Sequence, residues 1–426
     1  MATGRPAPTA APLAPPASGR ASTLQTFEAF KLVPFRWFWA HVGSAALIQG
    51  IQRFAFVWLV LDIADNSAAA GIVSFAIGIP VFFFSLPAGV LADRVDRRLL
   101  LFGSQGTAIV ITAATAVIIA TGHATLGVTY ALALAVGATQ AFGQPVRQAI
   151  LPSLVDRERL MNAIVLQTLG MNVMMIIGPA LGGAAISLTG IEGVFALQAA
   201  LFAFGLLVLL PLKIPAVLVR EGPPRRPIED VREGFRFVAG ETNIRLLIFL
   251  LMVSGIFMMG PSAALIPQVA KDELGAGAFG ASMLFAFTGV GTLCTSLVLA
   301  SWPGMKNKGA WFIGTVTIGG LGIAAIGTSQ WYPLTAAIML LWGMGGGFFI
   351  NLNQTLIQTN TPSALMGRVM SVHTLGFLGF APLGALLAGG MAALLGAPMW
   401  MLISGLTLSA IAISVGVTQP GLRRMG

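Results

Sequence analysis

Gly89-Val90-Leu91-Ala92-Asp93-Arg94-Val95-Asp96-Arg97-Arg98 is a short, densely charged break between two long apolar runs. Residues 68–92 before it and 99–121 after it are each long enough to cross a bilayer, which takes about 20 apolar residues. Two carboxylates and three arginines sit between them. A loop this tight reads as a hairpin between two membrane helices, held by its own polar contacts.

The rest of the chain agrees. Charged residues make up 9% of it and hydrophobic ones 56%, where a soluble domain carries about 25% charged residues. This is a polytopic membrane protein, with the lipid bilayer as its first partner. The net charge of +9 does not point to nucleic acid, because the basic residues are sorted by loop rather than gathered on one face. Cys294 stands alone, so no intrachain disulfide is expected. Three histidines and one cysteine offer no metal cluster. No GxxxxGK[ST] loop is present, so ATP binding of that kind is not expected, nor is any other cofactor.

Apolar spans fall near 37–62, 68–92, 98–121, 125–147, 163–188, 191–214, 244–269, 277–301, 309–328, 332–357, 369–391 and 396–418. Runs this long and apolar are helices, since lipid leaves backbone groups no partner outside their own segment. The fold class is therefore all-α, with twelve transmembrane helices in two pseudo-symmetric six-helix bundles. With the N-terminus in the cytoplasm, all but two of the 24 basic residues fall on the cytoplasmic side. The exceptions are Arg53, inside the first span, and Lys271, outside. Residues 1–35, rich in Ala and Pro up to residue 23, are expected to be a disordered cytoplasmic tail. The first bundle is predicted over 36–214, a linker over 215–243, the second bundle over 244–418 and a short cytoplasmic tail over 419–426. Ile228, Val231, Phe235 and Val238 recur at helical spacing, so the linker should carry an amphipathic helix. Gln148–Gly170 can be laid on Gln354–Gly376 without a gap, a weak internal repeat between the halves.

The hairpin pattern of Gly89, Asp93, Arg94, Arg97 and Arg98 resembles the loop between helices two and three of the major facilitator superfamily, although Asp96 stands where that pattern usually has a second Gly. The resemblance implies that Gly89 lets two helices approach, that Asp93 caps a neighbouring helix, and that the arginines pair across the cytoplasmic face. Gly178-Pro179-Ala180-Leu181-Gly182-Gly183 resembles the motif of drug–proton antiporters in the same superfamily, and Gly379, Pro382, Gly384, Gly389 and Gly390 form a looser relative in the eleventh span. Plain close packing of helices explains any one of these glycines. The stretches around Pro145–Val155 and Gly367–Ser371 are similar to the branch that holds enterobactin exporters and macrolide efflux proteins.

Polar residues are scarce in the spans and are the natural candidates for function. Gln49, Gln52 and Arg53 share one face of the first span. Arg53 either contacts an anionic or polar group of the cargo in a central cavity, or reaches the outer surface, or pairs with Asp62. Arg147, at the cytoplasmic end of the fourth span, and Arg368, in the loop after the tenth, are candidate gating residues. Arg147 is expected to pair with an acid of a neighbouring loop. Gln140 and Gln144 lie above it. Asn353, Gln354 and His373 are further cavity candidates, with helix–helix hydrogen bonding as the alternative role. No carboxylate lies in the middle of a span. Asp93, with Asp62 as outer partner, is left as the proton carrier.

The expected function is secondary export of a small amphipathic molecule, drug-like or siderophore-like, from the bacterial inner membrane. The proton gradient would supply the energy, and the chain would act as a monomer. Rivals of the same fold are a lipid or lysophospholipid flippase and a nutrient uniporter or importer. An enzyme or receptor finds no nucleophile–base pair and no extramembrane domain in the sequence.

Overall fold

The computed structural model describes residues 25–156, 158–212, 227–300, 305–363 and 365–426. Val33–Ala64 (α1), Ser67–Arg94 (α2), Arg97–Ala120 (α3) and Leu126–Leu154 (α4) are followed by Leu160–Leu207 (α5). At ~1.5 Å per residue, α5 is more than twice as long as the bilayer core is thick. It breaks at Gly190, whose φ of 78° leaves the helical region and turns the chain back. Two spans result, and the first bundle has six.

An amphipathic helix, Pro227–Gly240 (α6), precedes the second bundle. Thr242–Ser254 (α7) and Gly260–Asp272 (α8) are one span joined through a π-helical turn, Gly255–Met259. Pro261 has no N–H for the carbonyl of Phe257, and the Gly260 N–H instead reaches back five residues to the Gly255 carbonyl. Ala278–Ala300 (α9), Lys308–Thr328 (α10), Tyr332–Thr359 (α11), Met366–Leu395 (α12) and Ala397–Thr418 (α13) complete the bundle, and Pro420–Arg423 (α14) ends the chain. The described residues thus give twelve spans, as the hydropathy pattern predicts.

The halves repeat in packing as well as in sequence. In the first, α1 packs on α5, α2 on α4, and α3 on α5; in the second, α8 packs on α12, α9 on α11, and α10 on α13. The matched glycines behave alike. A side chain at Gly170 would meet Trp39 of α1 at 2.7 Å, and one at Gly376 would meet Met252 of α7 at 3.2 Å.

Residues 25–35 depart from the expected disordered tail. Gln25–Lys31 is a 3-10 turn. The Ala29 N–H donates to Asn162 Oδ1 at 3.0 Å, and Ala29 is fully buried. Phe30 packs edge-on against Phe35 and Trp39, whose indole donates to the Leu166 carbonyl. Aromatic area so close to α1 is enough to hold the segment down. Residues 1–24 lie outside the described residues, as do residues 213–226 of the linker.

The two halves meet along α2 with α12 and along α5 with α9. These contacts gather towards one end, the end of the α1–α2 and α8–α9 loops. There Gly71 faces Gly389, and a Cβ on Gly71 would lie 2.7 Å from the Gly389 Cα. A Cβ on Gly183 would lie 2.6 Å from the Ala278 carbonyl, and Phe82 closes over Gly379. Towards the opposite end, which carries Arg97 and Arg98, the same helices part. There Gly170 and Gly376 meet only their own halves, and Gly367 meets nothing within 4 Å. The halves enclose a space that is shut at the Asp65 end and open at the Arg98 end.

Candidate functional site

The hairpin that opens the sequence is compact. Asp96 caps α3 by accepting from the Arg98 N–H at 2.7 Å. An acid here serves the turn where the superfamily pattern has Gly. Arg97 donates to the Ala149 carbonyl at 3.0 Å, and Arg98 donates to the Leu210 carbonyl at 3.2 Å. Both arginines therefore tie the hairpin to the ends of neighbouring helices. The side chains of Asp93 and Arg94 lie outside the described residues. On the second half, Arg368 pairs with Glu233 at 2.6 Å, fastening α6 to the start of α12.

The glycine-rich motif of α5 is divided between two neighbours. Gly178 and Gly182 face α1: a Cβ on Gly178 would lie 2.9 Å from the Gly50 Cα, and one on Gly182 would lie 3.2 Å from Ile51. Pro179 Cδ would lie 3.0 Å from a Cβ on Gly50. Gly183 instead faces α9 across the halves. The motif sits where a bundle contact and an inter-bundle contact meet.

The first bundle holds a polar pocket between α1, α3, α4 and α5. The Gln49 amide donates to Gln140 Oε1 at 3.0 Å, and the Gln140 amide donates to Gln52 Oε1. This ladder joins α1 to α4. Gln49, Gln140, Gln144 and Arg147 line a common pocket with Ser104 and Gln105 of α3. Arg53 stands one turn beyond Gln49 on the same face. It is the one exposed residue between Phe38 and Leu61, and it lies deep within the protein mass. A side chain that is both deep and solvent-reached lines an internal space rather than the lipid surface.

One alternative closes here and one expectation changes. Arg53 does not pair with Asp62, whose partner is Lys271 at 3.8 Å. Arg147 does not pair with a loop acid: it forms no ion pair and no hydrogen bond with any described residue. Its guanidinium folds back along α4, so that Nη1 lies 2.8 Å from where a Gly143 Cβ would be. Gly143 leaves room for that turn away from the membrane edge.

The second-half candidates divide. His373 Nε2 meets Asn353 Oδ1 at 2.8 Å, and the Asn353 amide donates to the Leu247 carbonyl at 3.3 Å. Asn353 is buried, and the pair stitches α11, α12 and α7 together. Gln354 is exposed. The sequence reading missed His41. This fully buried residue of α1 lies 3.0 Å from the Gly205 carbonyl and 3.3 Å from Gln105, joining α1, α3 and α5. Its clustering with Ser44 in a sparse span was the available signal.

Residues 24–421 match the family model of transmembrane secretion effectors. The chain belongs to that family, within the major facilitator superfamily. It is 26% identical over 412 residues to a protein of Shigella boydii named enterobactin exporter EntS, with 95% of this chain and 94% of that one covered. An enterobactin exporter EntS of Citrobacter koseri is also 26% identical, over 407 residues and with the same coverage. Among solved structures, a POT family transporter in complex with 5-aminolevulinic acid superposes with a TM-score of 0.74 at 12% identity, covering 92% of this chain and 97% of its own. The nucleoside transporter NupG superposes with a TM-score of 0.70 at 16% identity, covering 91% and 99%. Both are likenesses of fold.

Proposed function

We propose that the chain exports a small amphipathic molecule with an anionic group by alternating access across the bacterial inner membrane. The carrying observation is Arg53, a guanidinium deep in the first span that solvent reaches, with Arg147 in the glutamine-lined pocket of the same bundle; neither pairs with an acid among the described residues. Keeping a cation away from bulk water costs several kcal/mol unless something compensates it. An anionic cargo does so each time it binds. The loops at the open end are basic, which puts that end in the cytoplasm. A site open to the cytoplasm and shut outside suits loading for export.

The names of the relatives support a siderophore-like cargo. The Gly178–Gly183 motif supports exchange for protons, with Asp93 and Asp62 as carriers and no ATP. The test is accumulation of labelled enterobactin and lipophilic anionic drugs in cells making the wild type, Arg53→Gln or Asp93→Asn, each with and without a protonophore. Export that stops with the protonophore and with either substitution is the expected result. Export that ignores the protonophore removes the antiport part. Export by Arg53→Gln at the wild-type rate removes the anionic site.

A further inference from the structure

At the shut face, turns from both halves surround a cleft of about 510 Å³. The α1–α2 turn, with Asp65, forms one side. The end of α8, with Gln268, Asp272 and Glu273, and the α12–α13 turn form the other. Each bundle thus supplies a wall, and the cleft exists only while the two meet here.

Its side chains are negative. Lys271, the one Lys or Arg of these turns, is already engaged across the halves, with Asp65 at 3.1 Å and Asp62 at 3.8 Å. Asp272 and Glu273 follow it in the chain, are exposed, and pair with no described residue. Three helices end around the cleft and two begin, so their dipoles largely offset one another and the carboxylates set the sign.

Gln268 is an independent sign of a ligand. It lines the cleft, is only 8% exposed, and its Oε1 accepts from no described residue. A buried acceptor left unmet is costly. The last torsion of a glutamine is soft, so a small turn of the amide brings that oxygen to a donor in the cleft. No three acids, cysteines or histidines among the described residues lie close enough to share a metal ion. Acids spread over a wide cleft, with a neutral oxygen set into the wall, suit N–H donors at two separated points. An ammonium carries three donors and no acceptor.

We infer that this cleft binds an aliphatic diamine or longer polyamine. One ammonium sits at the α8 end, on Gln268, Asp272 and Glu273. The other crosses to Asp65, whose side chain is 70% exposed beyond its pair with Lys271. The ligand then joins the halves and holds this face shut by mass action, slowing any cycle that must open it. The inference goes beyond the export reading: it concerns a second ligand, on the face away from the cargo's entrance, and its binding needs neither cargo nor a proton gradient.

The test is isothermal titration of the detergent-purified full chain with cadaverine, with pentylamine as its single-ended counterpart, and with magnesium chloride at equal ionic strength. Cadaverine should bind about tenfold more tightly than pentylamine, the worth of one charge-assisted contact. Magnesium should not displace it. Gln268→Leu should weaken cadaverine several-fold, and Asp272→Asn with Glu273→Gln should abolish binding. Closure is read at a distance. Cys294 is the only cysteine, so Cys294→Ser gives a clean background. Ser282 is fully buried in the other seam between the halves, against Gly183, and Ser282→Cys reports its opening. Cadaverine should slow maleimide labelling there a few-fold, and should not when both α8 acids are replaced. Equal affinity for cadaverine and pentylamine overturns the two-ended site, and displacement by magnesium reduces it to charge screening. Both results come from the wild type, so they decide the matter even where a variant fails to fold. Binding that leaves Ser282→Cys labelling unchanged overturns the hold on the shut face. Because none of these readings uses export, failure of this site and failure of the exporter reading are told apart.

Discussion

The ammonium of Lys271 lies 3.1 Å from the carboxylate of Asp65, a residue of the opposite bundle. It also donates to the Leu61 carbonyl at 2.9 Å, at the negative end of the α1 dipole. Asp65 itself adopts φ 44°, a left-handed helix cap held by its N–H to the same carbonyl. One cation thus ties the end of α8 to the end of α1 at the shut face. Lys271→Gln should weaken that face. The pair is exposed, so the loss is at most about 1 kcal/mol, or roughly fivefold in population. A Val269→Cys reporter in the Cys294→Ser background should label a few-fold faster from the outside. Unchanged labelling would show that the tie holds nothing shut.

Gly71 and Gly389 make a sharper test of the same face. Overpacking by one methyl typically costs about 1–3 kcal/mol. At Gly71→Ala that strain exists only while the halves are closed there. The variant should stay folded, with wild-type melting behaviour, yet export more slowly and label faster from outside. Normal export by Gly71→Leu would exclude this contact as part of the seal.

Asn353 and His373 are expected to govern stability rather than cargo. Asn353→Ala removes the hydrogen bond to the Leu247 carbonyl and leaves the His373 ring unpaired. Losses of about 1–3 kcal/mol follow from buried groups stranded in this way. Thermal melting in detergent should show a clear drop in Tm, with the KM for a transported compound unchanged. A shifted KM at constant Tm would move the pair into the cargo site.

Glu28 sets the pH behaviour of the N-terminal turn. Its hydrogen bond to Lys31, the charge of Lys31 and the nearby Arg159 hold its carboxyl below the ordinary value of 4.5. The folded group is the stronger acid, so its contribution is complete above pH 4.5 and is lost as pH falls through the depressed value. Labelling of an Ala29→Cys reporter should be flat near neutrality and rise only in acid, and Glu28→Gln should remove the acid rise. A change around neutral pH would assign the effect to another group.

What the sequence made legible follows from the physics involved. Hydropathy and the sorting of Lys and Arg act one segment at a time, so the twelve spans and the hairpin could be read in advance. The division between spans five and six was legible as the gap between residues 188 and 191, and the structure puts the break at Gly190. The partners of charged groups were not legible. Lys271 looked like an exception to the charge rule, and its partner lies 206 residues earlier. Arg147 sits near a helix end, where an acid was the natural expectation. Its inward turn depends on the empty place at Gly143, which no pattern of spacing announces. His41 and His373 are equally polar in a list of residues, and only packing shows that each bridges helices.

The turn at Gly255–Met259 has a consequence for register. A π-turn counts as one extra residue in an otherwise regular helix, and it rotates everything after it by ~100°. Lys271 lies on the far side of that turn. Its aim at Asp65 is therefore set in the turn that starts sixteen residues upstream, by the donor that Pro261, ten residues upstream, lacks. Deleting one residue between Gly255 and Met259 would restore a uniform helix and swing Lys271 off the interface with every side chain in place. The seventh span is thus a phase setter, and its spare residue decides which way the shut end points its charge.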